Sequence, residues 1–174
     1  NDDRGAVYLY NLVDSGGNLT EDPDSFSGLT LQATIGKNKT GDKDIDLSTG
    51  NLVLDAADEF GHSVSLSSSD DGSTRLAVSV RLGDGSDDGG QEGEVALFTF
   101  NDGTGCTGCT LKGFKDGELA GMIGEGWTNS KDVNVALDNN DGFGSSLSLY
   151  YDPVLDAHRL AVGASGDDGS GGGD

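Results

Sequence analysis

The sequence predicts an all-β protein built from tandem antiparallel β-sheet units. Three observations carry this: apolar and polar residues alternate with period two, 30 glycines stand against only 2 prolines in 174 residues, and the sequence repeats internally. Alternation is what a half-buried strand requires, because successive side chains leave opposite faces. Glycine density supplies the tight turns between short strands.

Taken in order, "GAVYLYN" (5–11) is apolar on both faces, with Val7 and Leu9 on one side and Ala6, Tyr8 and Tyr10 on the other. Such a strand is expected to be covered on both faces, as where one sheet packs on the next. "LTLQATI" (29–35) follows as a second strand. "EFGHSVSL" (59–66) places Val64 and Leu66 on one face, and "TRLAVSV" (74–80) does so with Leu76 and Val78. "GEVALFTFN" (93–101) is again two-sided, with Val95 and Leu97 opposite Ala96, Phe98 and Phe100. "CTLKGF" (109–114) and "DVNVAL" (132–137) read as further strands, as do "GFGSSLSL" (142–149) and "HRLAVGA" (158–164). No segment sustains a 3.6-residue period, and "KGFKDGELAGMIGEG" has too much glycine for a stable helix.

The repeat is read by superposing the chain on itself. "EFGHSVSL" matches "GFGSSLSL" at an offset of 83 (Phe60 to Phe143), and "TRLAVSV" matches "HRLAVGA" at 84 (Arg75 to Arg159). "GAVYLYN" matches "GEVALFTFN", and "TIGKNKTGDKDIDL" (34–47) matches "MIGEGWTNSKDVNV" (122–135), both at 88. Two repeats of about 87 residues result, 1–92 and 93–174, with extra residues in the first around "STGN" (48–51). Insertions of this kind sit in surface loops. The period is cut in the acidic loop between "LAVGA" and "GAVYLY", whereas residues 74–101 hold that unit unbroken. This phase is expected of a piece from a longer array, or of subunits that join end to end and complete each other's units. In the second case Val7 and Leu9 of one subunit meet Leu160 and Val162 of its neighbour.

Asp plus Glu number 31 against 10 Lys plus Arg, for a net charge of −21. Such a field repels nucleic acid and anionic membranes, and no apolar run approaches the roughly 20 residues of a membrane span. Hydrophobic residues are 33% of the chain, a modest share that suits thin sheets and large solvated loops.

"DNNDGFGSSLSLYYDPVLDAHRLAVGASGDDG", joined to "GAVYLYNL", resembles the FG-GAP repeat of integrin-type β-propellers. Phe143 and Gly144 supply the Phe-Gly pair, and Gly163, Ala164 and Ser165 the Gly-Ala-Pro-like turn, with serine for proline. The first copy keeps Phe60 and Gly61 but has Ser79, Val80 and Arg81 at that turn. The combined pattern is also similar to long tandem repeats of very large bacterial surface proteins. The resemblance implies propeller-blade-like four-stranded sheets in a secreted, multi-repeat protein, with calcium in the blade loops. Two blades do not close a ring that typically needs four to eight. The chain is therefore expected to belong to a larger propeller, to assemble with further copies, or to stack without closing.

The candidate calcium ligands are Asp55, Asp58, Asp138, Asn140 and Asp141. "LDAADEFG" (54–61) aligns with "LDNNDGFG" (137–144), and hard oxygen donors at a turn are what calcium selects. The competing reading is an Asx-turn in which the carboxylate caps its own backbone. The loops bearing Asp84, Asp87, Asp88, Asp167, Asp168 and Asp174 read as solubilising turns. Cys106 and Cys109, in "CTGC", have neither a second pair for zinc nor a helix to activate a thiol, which points to a local disulfide in an oxidising compartment. An inter-subunit cross-link is the alternative. Asn18 and Asn38 head glycosylation sequons. His62 and His158 occupy unrelated positions in the repeat, and Trp127 and Met122 read as packing residues.

What stands out in the sequence occurs twice, whereas an active site is assembled once, so no catalytic role is expected. The expected function is structural, at the cell surface: a fibre, sheath or adhesin stalk made by self-association. The alternative is a ligand-binding propeller fragment whose loops recognise a protein or glycan receptor.

Overall fold

The structure is a computed structural model and describes residues 4–18, 20, 22, 24–69, 73–84, 90–101 and 115–169. Those residues form an all-β chain without helices. Three sheets succeed one another along the chain. The first contains β1 (Ala6–Asp14), β2 (Phe26–Gly36) and the two-residue β3 (Ile45–Asp46), in that order. The middle sheet has five strands, an antiparallel meander of β4 (Phe60–Ser68), β5 (Thr74–Val80), β6 (Glu94–Asn101) and β7 (Lys115–Gly124) with β8 (Val133–Asn134) beside β7. The third is the hairpin of β9 (Phe143–Asp152) and β10 (Ala157–Ala164). All long neighbours pair antiparallel, and only the short β3 and β8 pair parallel, with β2 and β7 respectively.

The middle sheet is covered on both faces, which is why β5 and β6 carry hydrophobic runs without strict alternation. One face presents Leu76, Val78, Val80, Ala96, Phe98 and Phe100 to Val7, Leu9, Ala33 and Ile35 of the first sheet. Phe60 and Phe98 meet edge to face there, with centroids 6.2 Å apart. The opposite face presents Ala77 and Val95 to Phe143, Leu149, Leu160 and Val162 of the hairpin. At about 25 cal/mol per Å² of apolar surface removed from water, these two layers are the main stabilising term.

The expectation for residues 5–11 needs correction. Val7 and Leu9 are buried, but Tyr8 and Tyr10 are about half exposed, because β1 lies in an outer sheet and no described element covers its far face. The counterpart β6 is covered on both sides because its sheet is central. The strand expected over 132–137 shortens to Val133–Asn134. The glycine-rich segment read only as non-helical forms β7. "CTLKGF" (109–114) lies outside the described residues. Residues 48–51 lie in the loop after β3, beyond which Leu52 and Leu54 turn into the core.

Candidate functional site

The features that stand out are the two seams between sheets, because the same local geometry recurs in both. At the first seam the Phe60 amide donates to the Arg4 carbonyl at 3.1 Å, and Gly5 bridges Phe60. At the second the Phe143 amide donates to the Glu92 carbonyl at 2.8 Å. Gly5 and Gly93 both take positive φ, 80° and 86°. A Cβ on Gly5 would lie 2.0 Å from the Phe60 carbonyl oxygen, and one on Gly93 would lie 2.2 Å from that of Phe143. Only glycine permits this backbone approach.

Smaller details recur as well. Asp44 accepts from the Thr34 and Gly41 amides, as Asp132 does from Met122 and Asn129. Each carboxylate satisfies a strand amide just before a two-residue parallel strand. Asp46 accepts from the Asn38 amide, and Asn134 from that of Gly126. The β1–β2 and β6–β7 pairs break register at matching places, between Leu9 and Tyr10 and between Leu97 and Phe98. The second seam is also tied by serine: Ser63 Oγ accepts from the Leu147 amide at 3.1 Å and Ser65 Oγ from Leu149 at 2.8 Å.

The outer sheets have open sides. Among the described residues β1 pairs only with β2, and β10 only with β9, so each carries an unpaired edge. The far face of the first sheet exposes Tyr8 (53%), Tyr10 (46%), Leu12 (52%), Leu29 (57%) and Leu31 (50%). On β4, Val64 (50%) and Leu66 (47%) are likewise exposed. Open strand edges and exposed apolar faces are the features through which β-sheets can associate.

The acidic turns close on themselves. Asp58 Oδ2 accepts from the Asp55 amide at 2.6 Å, and Asp141 Oδ2 from the Asp138 amide at 2.7 Å. Ala57 and Asn140 take positive φ in these turns, 79° and 70°. The Asp55 side chain is mostly exposed and lies 4.0 Å from Lys37 Nζ; Asp141 is buried. Among the described residues no three His, Cys, Asp or Glu side chains converge as a metal-holding group. Burial pushes the Asp58 carboxyl above its ordinary range. A buried Glu94 accepts from Trp127 Nε1 at 2.8 Å. Burial pushes Glu94 up to about 8, with neighbouring carboxylates adding and the Trp127 bond opposing.

Val7 and Leu9 point into the first seam and Leu160 and Val162 into the second, so the side chains expected at a subunit junction face inward while the edges of their strands stay open. Asn18 and Asn38 lie on exposed turns, where Asn18 bonds Asp14 and Asn38 accepts from Ser48 Oγ. Cys106 and Cys109 lie outside the described residues. Sequence reasoning missed the serine ties and the exposed Tyr8, Tyr10 and Leu12 face. For the latter the repeat alignment pointed the other way, since these residues align with Ala96, Phe98 and Phe100, which are buried in the central sheet. Comparison with protein-family models and with curated proteins finds no match.

Proposed function

We propose that this chain is a structural extracellular repeat protein whose β-sheets stack into a surface fibre, sheath or adhesin stalk. One observation carries the reading: the seam between the first and middle sheets recurs between the middle sheet and the β9–β10 hairpin. A molecule with one stacking geometry used twice, and with open edges and apolar faces on its outer sheets, has what it needs to continue the stack. The resemblance to FG-GAP-type repeats supports the same architecture, and the exposed sequon asparagines Asn18 and Asn38 suit an outer surface. A head-to-tail contact that fails to close yields a filament. Calcium enters this reading as a ligand of the acidic loops.

Electron microscopy of the purified protein, with and without a calcium chelator, tests it. Long fibres with an axial repeat of one or two sheet units are expected, and their loss on chelation makes calcium part of the contact. Discrete rings would sink the fibre and favour a propeller that binds protein or glycan through its loops.

A further inference from the structure

The middle sheet is an internal template for what the outer sheets lack. In it β5 pairs with β6 so that Leu76 faces Phe98, Val78 faces Ala96 and Ser79 faces Val95. By the offsets of 84 and 88, β10 is the counterpart of β5 and β1 that of β6. Resting on the stacking reading, we infer that β10 of one copy adds to the open edge of β1 in a second copy. The antiparallel register pairs Leu160 with Tyr10, Ala161 with Leu9, Val162 with Tyr8 and Gly163 with Val7. The product is a five-stranded sheet, β9–β10 of one chain followed by β1–β2–β3 of the other, in the order of the middle sheet.

Three independent features match this occupant. First, Val64 and Leu66, counterparts of Leu147 and Leu149, are exposed, whereas Leu149 is buried and Leu147 half-buried against the middle sheet. The incoming hairpin supplies the missing layer, with the small residues Ala161 and Gly163 facing them as Ala77 and Ser79 face the β9 leucines. Second, Ser146 and Ser148 align with Ser63 and Ser65 and are exposed. On the incoming hairpin they stand where they accept from the amides of Val64 and Leu66 of the second copy, repeating the serine ties of the internal seam. Third, adding a copy brings its Tyr8, Tyr10 and Leu12 face over Leu97 and Ile123 of the donor chain. Those two are the counterparts of Leu9 and Ile35, and they are only partly buried. A cavity of about 230 Å³ lined by Leu97, Ala120, Leu149 and Leu160 opens on that face. A strand edge, an uncovered pair of β4 side chains and an exposed aromatic face are thus satisfied together by one partner, a second copy of this chain.

Register-specific cross-linking tests the pairing. In a Cys106→Ser, Cys109→Ser background, Asn11→Cys is combined with Arg159→Cys, and separately Leu12→Cys with His158→Cys. Successive pairs alternate between close and wide spacing, so one of these two is the close type. Mild oxidation should give a ladder of dimers and higher species for at least one of them. Arg159→Cys with Val13→Cys, two residues out of register, should give at least tenfold less. Fibres or larger assemblies by microscopy that cross-link only out of register, or not at all, would overturn this pairing and leave stacking intact. A parent protein that stays monomeric at high concentration would overturn the stacking reading itself. Tyr8→Asp with Tyr10→Asp alters side chains already half exposed, so the circular dichroism of the fold should persist while the concentration needed for assembly rises at least tenfold. Unchanged assembly of that variant would overturn the inferred role of the face.

Discussion

At the residue scale, Glu94 is held far from its ordinary chemistry. Its carboxyl lies under Trp127 with Asp58, Asp84 and Glu92 as negative neighbours, and it reaches a pKa of about 8. The folded protein therefore holds a proton that the unfolded chain has released between about pH 4.5 and 8. Stability from this residue is present below the unfolded value and is lost as pH rises toward 8, in total on the order of 5 kcal/mol. Asp58, raised in the same direction, adds to the slope at its acid end. The melting temperature is expected to fall from pH 5 to 8 and level off above, and Glu94→Gln, which keeps an oxygen for Trp127, should flatten most of that fall. Parallel melting curves for the two proteins across this range would contradict the assignment. Nothing local in "GEVALF" reveals this burial: the repeat partner of Glu94 is Ala6, and the carboxyl is enclosed by residues distant in sequence, Trp127 and Gly83 among them.

At the scale of elements, the seams depend on two glycines rather than on many contacts. Gly93→Ala forces a Cβ against the Phe143 carbonyl at a φ of 86°, so β9 must move away from β6. A loss of at least about 2 kcal/mol is expected, read from the urea midpoint. The amides of Leu147 and Leu149 should then exchange faster, because the serine ties they donate to lie across the same seam. The alternating segments were legible as strands by their period of two; over Phe143–Asp152 burial follows that alternation, whereas in β4 the apolar Val64 and Leu66 take the exposed places. β7 was not, because its glycines answer to neighbours distant in sequence. Gly117 makes room for the Phe100 ring and Gly121 for the Lys131 carbonyl, neither of which a propensity argument contains. β8 is shorter than its pattern suggests because the Asp132 carboxylate, not a further ladder residue, takes the Met122 amide. The acidic turns follow a bond the sequence reading did not contain: Asp58 and Asp141 accept from the amides of Asp55 and Asp138, three residues before them, rather than two residues on as in an Asx-turn.

At the scale of the whole molecule, the proposed stacking must work against charge. Each copy carries a net charge of −21, so every addition to a growing assembly brings a strongly like-charged body close to its end. The contacts inferred at that end are backbone hydrogen bonds, serine ties and apolar faces, none of which needs a charged partner. Raising ionic strength shortens the screening length from about 10 Å at 0.1 M to about 3 Å at 1 M, which removes repulsion and leaves such contacts intact. Assembly should therefore strengthen with salt, the concentration at which polymer appears in sedimentation falling severalfold between 0.1 and 1 M sodium chloride. A junction held by ion pairs would respond in the opposite sense, weakening as salt rises. Calcium separates a third case: at equal ionic strength, an acidic loop that binds the ion should make calcium chloride more effective than sodium chloride. Equal potency of the two salts would mean that the carboxylates act only as a solvated, mutually repelling surface whose charge sets the threshold for stacking.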